Sequence, residues 1–160
     1  KLLLGRGANV NVQSRWYDSK HKRFYENNAL RAASRGGHEQ VVKLLLEKGV
    51  DINVENGGYY GNALQGAVGN GHEDIVKLLV NHGADINTQG KYYDAGQSEF
   101  YNVSALYIAA VEGHEQIAKL LLAQEGIKVN LRGGFYDNTL QAAVFRGCRQ
   151  IAKLLLENGA

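Results

Sequence analysis

The chain has 160 residues, 44% of them hydrophobic and 21% charged, with a formal net charge of +2. That length suits one ordinary domain, and the near balance of charge argues against nucleic-acid binding along the whole chain. A single cysteine excludes an intrachain disulfide framework and suits a reducing compartment, cytoplasmic or nuclear. No apolar run approaches the roughly 20 residues that span a bilayer, and no signal peptide is visible, so no membrane partner is expected.

The chain opens on Lys1-Leu2-Leu3-Leu4, inside an apolar helical phrase and without an initiator Met. Residues 1–13 read as the second half of a helix pair, and an excised part of a longer protein is expected. A loop rich in aromatic and basic residues follows, Trp16-Tyr17-Asp18 through Phe24-Tyr25. Asn28 is an N-cap residue type, able to accept from the first unbonded backbone N–H groups. Ala29, Leu30, Ala32 and Ala33 then form a short helix of small side chains, which Gly36-Gly37 stops. Glu39 opens a second helix whose Val41, Val42, Leu44, Leu45 and Leu46 make one apolar face. Gly49 ends it in the left-handed conformation.

The same order recurs over 62–87, 104–130 and 138–160, and the Lys-Leu-Leu phrase at 1, 43, 77, 119 and 153 is spaced by 42, 34, 42 and 34 residues. Periods of this size belong to stacked helix pairs, which bury their apolar faces against one another. The expected organisation is one array over 1–160, with units at about 14–53, 54–87, 88–130 and 131–160. Leu2, Leu3 and Leu4 begin a half-unit with no polar capping unit, so the isolated array is expected to be marginal or self-associating.

These residues resemble the ankyrin repeat, whose pattern is a small-residue first helix, Gly-His, an apolar run with Leu-Leu-Leu, then Gly-Ala-Asp-Val-Asn. Gly37-His38, Gly71-His72 and Gly113-His114 carry the Gly-His step, and Gly83-Ala84-Asp85-Ile86-Asn87 nearly completes the terminal phrase. The family's Thr-Pro-Leu-His is replaced by Asn28-Ala29-Leu30-Arg31 and its counterparts, and the chain has no proline. The phrase Tyr59-Tyr60-Gly61-Asn62-Ala63-Leu64-Gln65 is similar to arrays common in fungal proteins. The resemblance implies an all-α ankyrin-repeat solenoid of stacked antiparallel helix pairs with β-hairpin loops, two of them extended. It also implies partners docking on the concave side, formed by hairpin tips and late positions of the first helices.

The long loops carry the variation. A shift of 76 residues places Trp16-Tyr17-Asp18 on Tyr92-Tyr93-Asp94 and Phe24-Tyr25 on Phe100-Tyr101. Between these pairs Ser19-Lys20-His21-Lys22-Arg23 faces Ala95-Gly96-Gln97-Ser98-Glu99, one tip basic and the other not. Twelve of the fourteen aromatics lie in loops, leaving Tyr107 and Phe145 on helices. Second members of the aromatic pairs are expected to pack finger against finger, and first members to lean towards exposure. Residues 1–40 hold eight Lys/Arg against three Asp/Glu, so an acidic partner is expected near that end.

His38, His72 and His114 recur at one step of the unit, which predicts structural hydrogen bonding rather than metal binding. Cys148 replaces the fourth as a small, partly buried thiol. No Cys-x-x-Cys, paired ligand histidines or phosphate-cradling loop is present, and no acid, base and nucleophile converge. The expectation is a non-enzymatic protein–protein interaction module without cofactor or metal. Its contact residues are Trp16, Tyr17, Lys20, Lys22, Arg23, Arg31, Arg35, Tyr92, Tyr93, Tyr107 and Phe145. The tryptophan and tyrosines would anchor a partner, and the Lys/Arg cluster would steer an acidic one. The alternative is a sensor array of a multidomain nucleotide-switch protein of the NACHT type, contacting its own upstream domains.

Overall fold

A computed structural model describes residues 9–18, 23–54, 61–94 and 99–160. Among them the chain forms four helix pairs and two hairpins. β1 (Gln13–Asp18) and β2 (Arg23–Asn28) lead into α1 (Ala29–Arg35) and α2 (Glu39–Glu47). α3 (Ala63–Gly69) and α4 (Glu73–Asn81) follow, then β3 (Gly90–Asp94), β4 (Glu99–Val103), α5 (Ala105–Glu112) and α6 (Glu115–Leu122). α7 (Thr139–Phe145) and α8 (Arg149–Glu157) close the order. The first helices pack in sequence, α1 on α3 on α5 on α7, and the second helices α2, α4, α6 and α8 pack likewise. The result is a helical stack with small antiparallel hairpins.

Each first helix begins at a polar cap. Asn28, Asn62, Ser104 and Asn138 accept from the backbone N–H groups of Arg31, Gln65, Tyr107 and Gln141, satisfying donors that the helix start leaves unpaired. Asn62 and Gln65 complete a reciprocal capping box. Gly37 and Gly49 take positive φ, as the stop signals predicted. The Leu-rich phrase supplies the interior: Leu45, Leu79, Leu121 and Leu155 are buried, each contributing about 1.5–3 kcal/mol by leaving water. Val41, expected on that face, is exposed, while its counterparts Ile75, Ile117 and Ile151 are buried. α5 is buried on all sides because α3, α6 and α7 enclose it.

An asparagine ladder ties the turns between helix pairs. Asp51 N–H donates to Asn11 Oδ1 at 2.9 Å, and Asp85 N–H to Asn53 Oδ1 at 2.8 Å. Asn53 in turn donates to the Gly83 carbonyl, Asn87 to that of Gly126 and Asn130 to that of Gly159. The histidine step also crosses junctions. His72 Nε2–H donates to the Arg35 carbonyl at 3.1 Å, satisfying an acceptor at the end of α1.

Candidate functional site

The surface to test is the hairpin side of the first helices. The two hairpins share one register. Trp16 pairs with Tyr25 and Tyr17 with Phe24, as Tyr92 pairs with Tyr101 and Tyr93 with Phe100. Both tips, 19–22 and 95–98, lie outside the described residues, and with them Lys20 and Lys22. Trp16 falls on β1 and Arg23 on β2.

Alternation along a strand decides which aromatics face the stack. Tyr92 is buried, and its hydroxyl donates to Glu112 Oε1 at 2.9 Å, binding β3 to the end of α5. Its neighbour Tyr93 is half-buried, with its ring 5.0 Å from the cross-strand Phe100. The expected exposure of first members is therefore reversed at this pair. Tyr17, one repeat of 76 earlier than Tyr93, is 53% exposed on β1. Tyr101, Phe135, Tyr136 and Phe145 form a line of ring contacts, the last of them at 4.5 Å.

The third residue of each first helix was expected to offer Arg31 and Tyr107 to a partner. Both are buried, and so is their counterpart Gln65. In α3 and α5 this position points across the junction towards the next loop. Gln65 Nε2 donates to the carbonyls of Val103 and Thr88. Tyr107 lies over Gly134, where any Cβ would collide with the phenol, and its hydroxyl accepts from Tyr136 N–H at 3.2 Å. Arg31 donates to Asn27 Oδ1 at 3.4 Å. Burial, and secondarily the charge of Arg35, lowers the Arg31 pKa to about 10, so it remains cationic at neutral pH. Arg31, Tyr92 and Tyr107 thus leave the contact set, because each is enclosed by its own stack.

Arg35 and Phe145 stand outside. Arg35 is exposed at the end of α1, and Phe145 is 70% exposed at the end of α7. The sequence reading missed Phe135, which is exposed beside Tyr136. No group of three or more His, Cys, Asp or Glu side chains among the described residues could hold a metal ion. No helix among them is long and apolar enough to cross a membrane.

A family model described as ankyrin repeats (3 copies) matches residues 1–90 and 92–160. The chain belongs to the ankyrin-repeat family. Ankyrin repeats are generally protein–protein interaction modules, and the family is typically non-catalytic. The comparison with curated proteins gives no match. In this ankyrin stack the side chains that vary from pair to pair fall into two sorts. Some, such as Gln65 and Tyr107, vary because each meets a different neighbour across a junction. Others, such as Tyr17 and Arg35, vary on the outside.

Proposed function

We propose that residues 1–160 form one array, with a half-unit at 1–13 and units at about 14–53, 54–87, 88–130 and 131–160. It binds a protein partner through two extended hairpin fingers and the concave helix face. The contact set is Trp16, Tyr17, Lys20, Lys22, Arg23, Arg35, Tyr93 and Phe145. The observation that carries this reading is Tyr17, an aromatic side chain 53% exposed on a strand that leads into the Lys20–Arg23 tip. An exposed ring supplies contact area at low entropic cost, and adjacent cations steer an acidic partner.

Capture of acidic partners by the whole chain, followed by binding kinetics, tests the reading. Lys20→Ser, Lys22→Ser and Arg23→Ser together should slow association at low salt about tenfold and flatten its salt dependence. Tyr17→Ala should instead speed dissociation. An association rate unchanged at low salt would reject the basic tip as the steering element.

A further inference from the structure

The two hairpins share a register but differ where each meets its helix. In the second, Tyr92 is only 6% exposed, and its phenol donates to Glu112 Oε1 at 2.9 Å. That bond joins the middle of β3 to the last residue of α5. A shift of 76 residues carries Tyr92 onto Trp16 and Glu112 onto Gly36. Trp16 holds the matching place in β1, opposite Tyr25 as Tyr92 is opposite Tyr101. Gly36, directly after α1, has no side chain to accept, so a bond of this kind cannot form there.

The helix ends themselves are fixed alike. The Val111 carbonyl accepts from Arg146 Nε–H at 2.9 Å, and its counterpart, the Arg35 carbonyl, accepts from His72 Nε2–H at 3.1 Å. Both ends are thus held by the following helix pair, and only the second passes that hold on to a hairpin through this bond. The outer faces differ in the same sense. Tyr17 is 53% exposed, whereas its counterpart Tyr93 is half-buried. A two-stranded hairpin is marginally stable by itself in water, so its pose depends on the side chains that tie it to the stack.

We propose that Glu112 is a positioning residue that latches the second finger through Tyr92, and that the first finger, without this latch, is the one left free to adjust its pose to a partner. The inference rests on the reading that the fingers bind a protein, and it divides the work between them. A finger fixed beforehand loses little freedom on binding and selects a partner by shape. An unlatched finger loses more freedom but follows the partner's surface, and its basic tip needs no fixed pose to attract an acidic one.

Residue-resolved amide exchange on the full chain tests this with no partner present, so its outcome is independent of whether acidic proteins are captured. In the wild type, strand amides of β1 and β2 should exchange about tenfold faster than their counterparts in β3 and β4. Tyr92→Phe and Glu112→Ala should each quicken β3 and β4 about tenfold, with the double variant no faster than either and α5 still protected. Glu112→Gln, whose amide oxygen still accepts, should stay within about threefold of the wild type. Trp16→Tyr with Gly36→Glu should install the latch and slow β1 and β2 about tenfold. Gly36 has an ordinary φ of −81°, and a Cβ there first meets the imidazole end of His38, a side chain that can swing aside. Unchanged exchange in β3 and β4 on losing either latch residue would overturn the proposal, as would losses that add. Equal exchange of the two fingers in the wild type would overturn the division between them.

Discussion

The side-chain amide of Gln65 donates to the carbonyl of Val103 at 2.8 Å, so that α3 holds the end of β4. The same amide reaches the Thr88 carbonyl, and its oxygen accepts from Asn62 N–H. One fully buried side chain therefore satisfies groups in its own helix cap and in the next loop. Gln65→Leu would leave these partners without it, at about 2–3 kcal/mol. Gln141→Leu, at the exposed counterpart, should stay within about 0.5 kcal/mol. Urea unfolding of both variants checks the contrast, and equal losses would refute the junction role of this position.

The contact of Tyr107 with Gly134 gives a second contrast. Gly134 and Gly159 both take positive φ, 77° and 87°, so alanine at either one is strained by about 1 kcal/mol. Only at Gly134 would the new methyl also displace the phenol that accepts from Tyr136 N–H. Gly134→Ala should therefore cost about 2 kcal/mol more than Gly159→Ala. Thermal melts of the pair measure the difference. Similar melting points would mean that the Tyr107 ring moves aside without loss.

Much of the stack was legible because its signals are local. The caps at Asn28, Asn62, Ser104 and Asn138 precede small-residue helices, and Leu45, Leu79, Leu121 and Leu155 mark the second-helix interior at fixed spacing. The interaction surface was less legible, for a physical reason. Variation between units does not mark a side chain as free of structure, because a buried junction position also varies when its neighbour does. Tyr107 requires Gly134 and an N–H at Tyr136, whereas Gln65 requires two carbonyls. The burial of Tyr92 is not legible in the sequence because strand alternation shows only that two neighbours face opposite ways, and the bond to Glu112 shows which one turns inward. The asparagine ladder did have a signal, since Asn11, Asn53, Asn87 and Asn130 each follow a Val or Ile near the end of a unit.

That ladder makes a local prediction. Asn53 accepts from Asp85 N–H at 2.8 Å and donates to the Gly83 carbonyl at 3.1 Å, all at an exposed turn. Because water can replace an exposed partner, Asn53→Ala should cost only about 1 kcal/mol in global stability. Its effect should be local: hydrogen exchange at the Asp85 amide should quicken about tenfold, while the buried amides of α4 keep their protection. Undiminished protection at Asp85 would show that the ladder does not hold this turn.

Arg31 provides the pH-dependent case. Its guanidinium is buried beside Arg35, and the folded-state pKa falls to about 10, below the ordinary guanidinium range. A cation whose pKa is depressed on folding binds its proton more weakly in the folded chain than in the unfolded one. Its burial cost is therefore present in full below about pH 10 and is relieved as pH rises above that value. Arg31→Gln places at this site the residue that its buried counterpart Gln65 already uses. At neutral pH the variant should be more stable than the wild type, by on the order of 2 kcal/mol. The advantage should shrink as pH rises above about 10, because only the wild type gains from losing the proton. Urea midpoints of the two proteins below and above that value read the difference directly. A variant less stable at neutral pH would show that the contacts of Arg31 outweigh the cost of burying its charge.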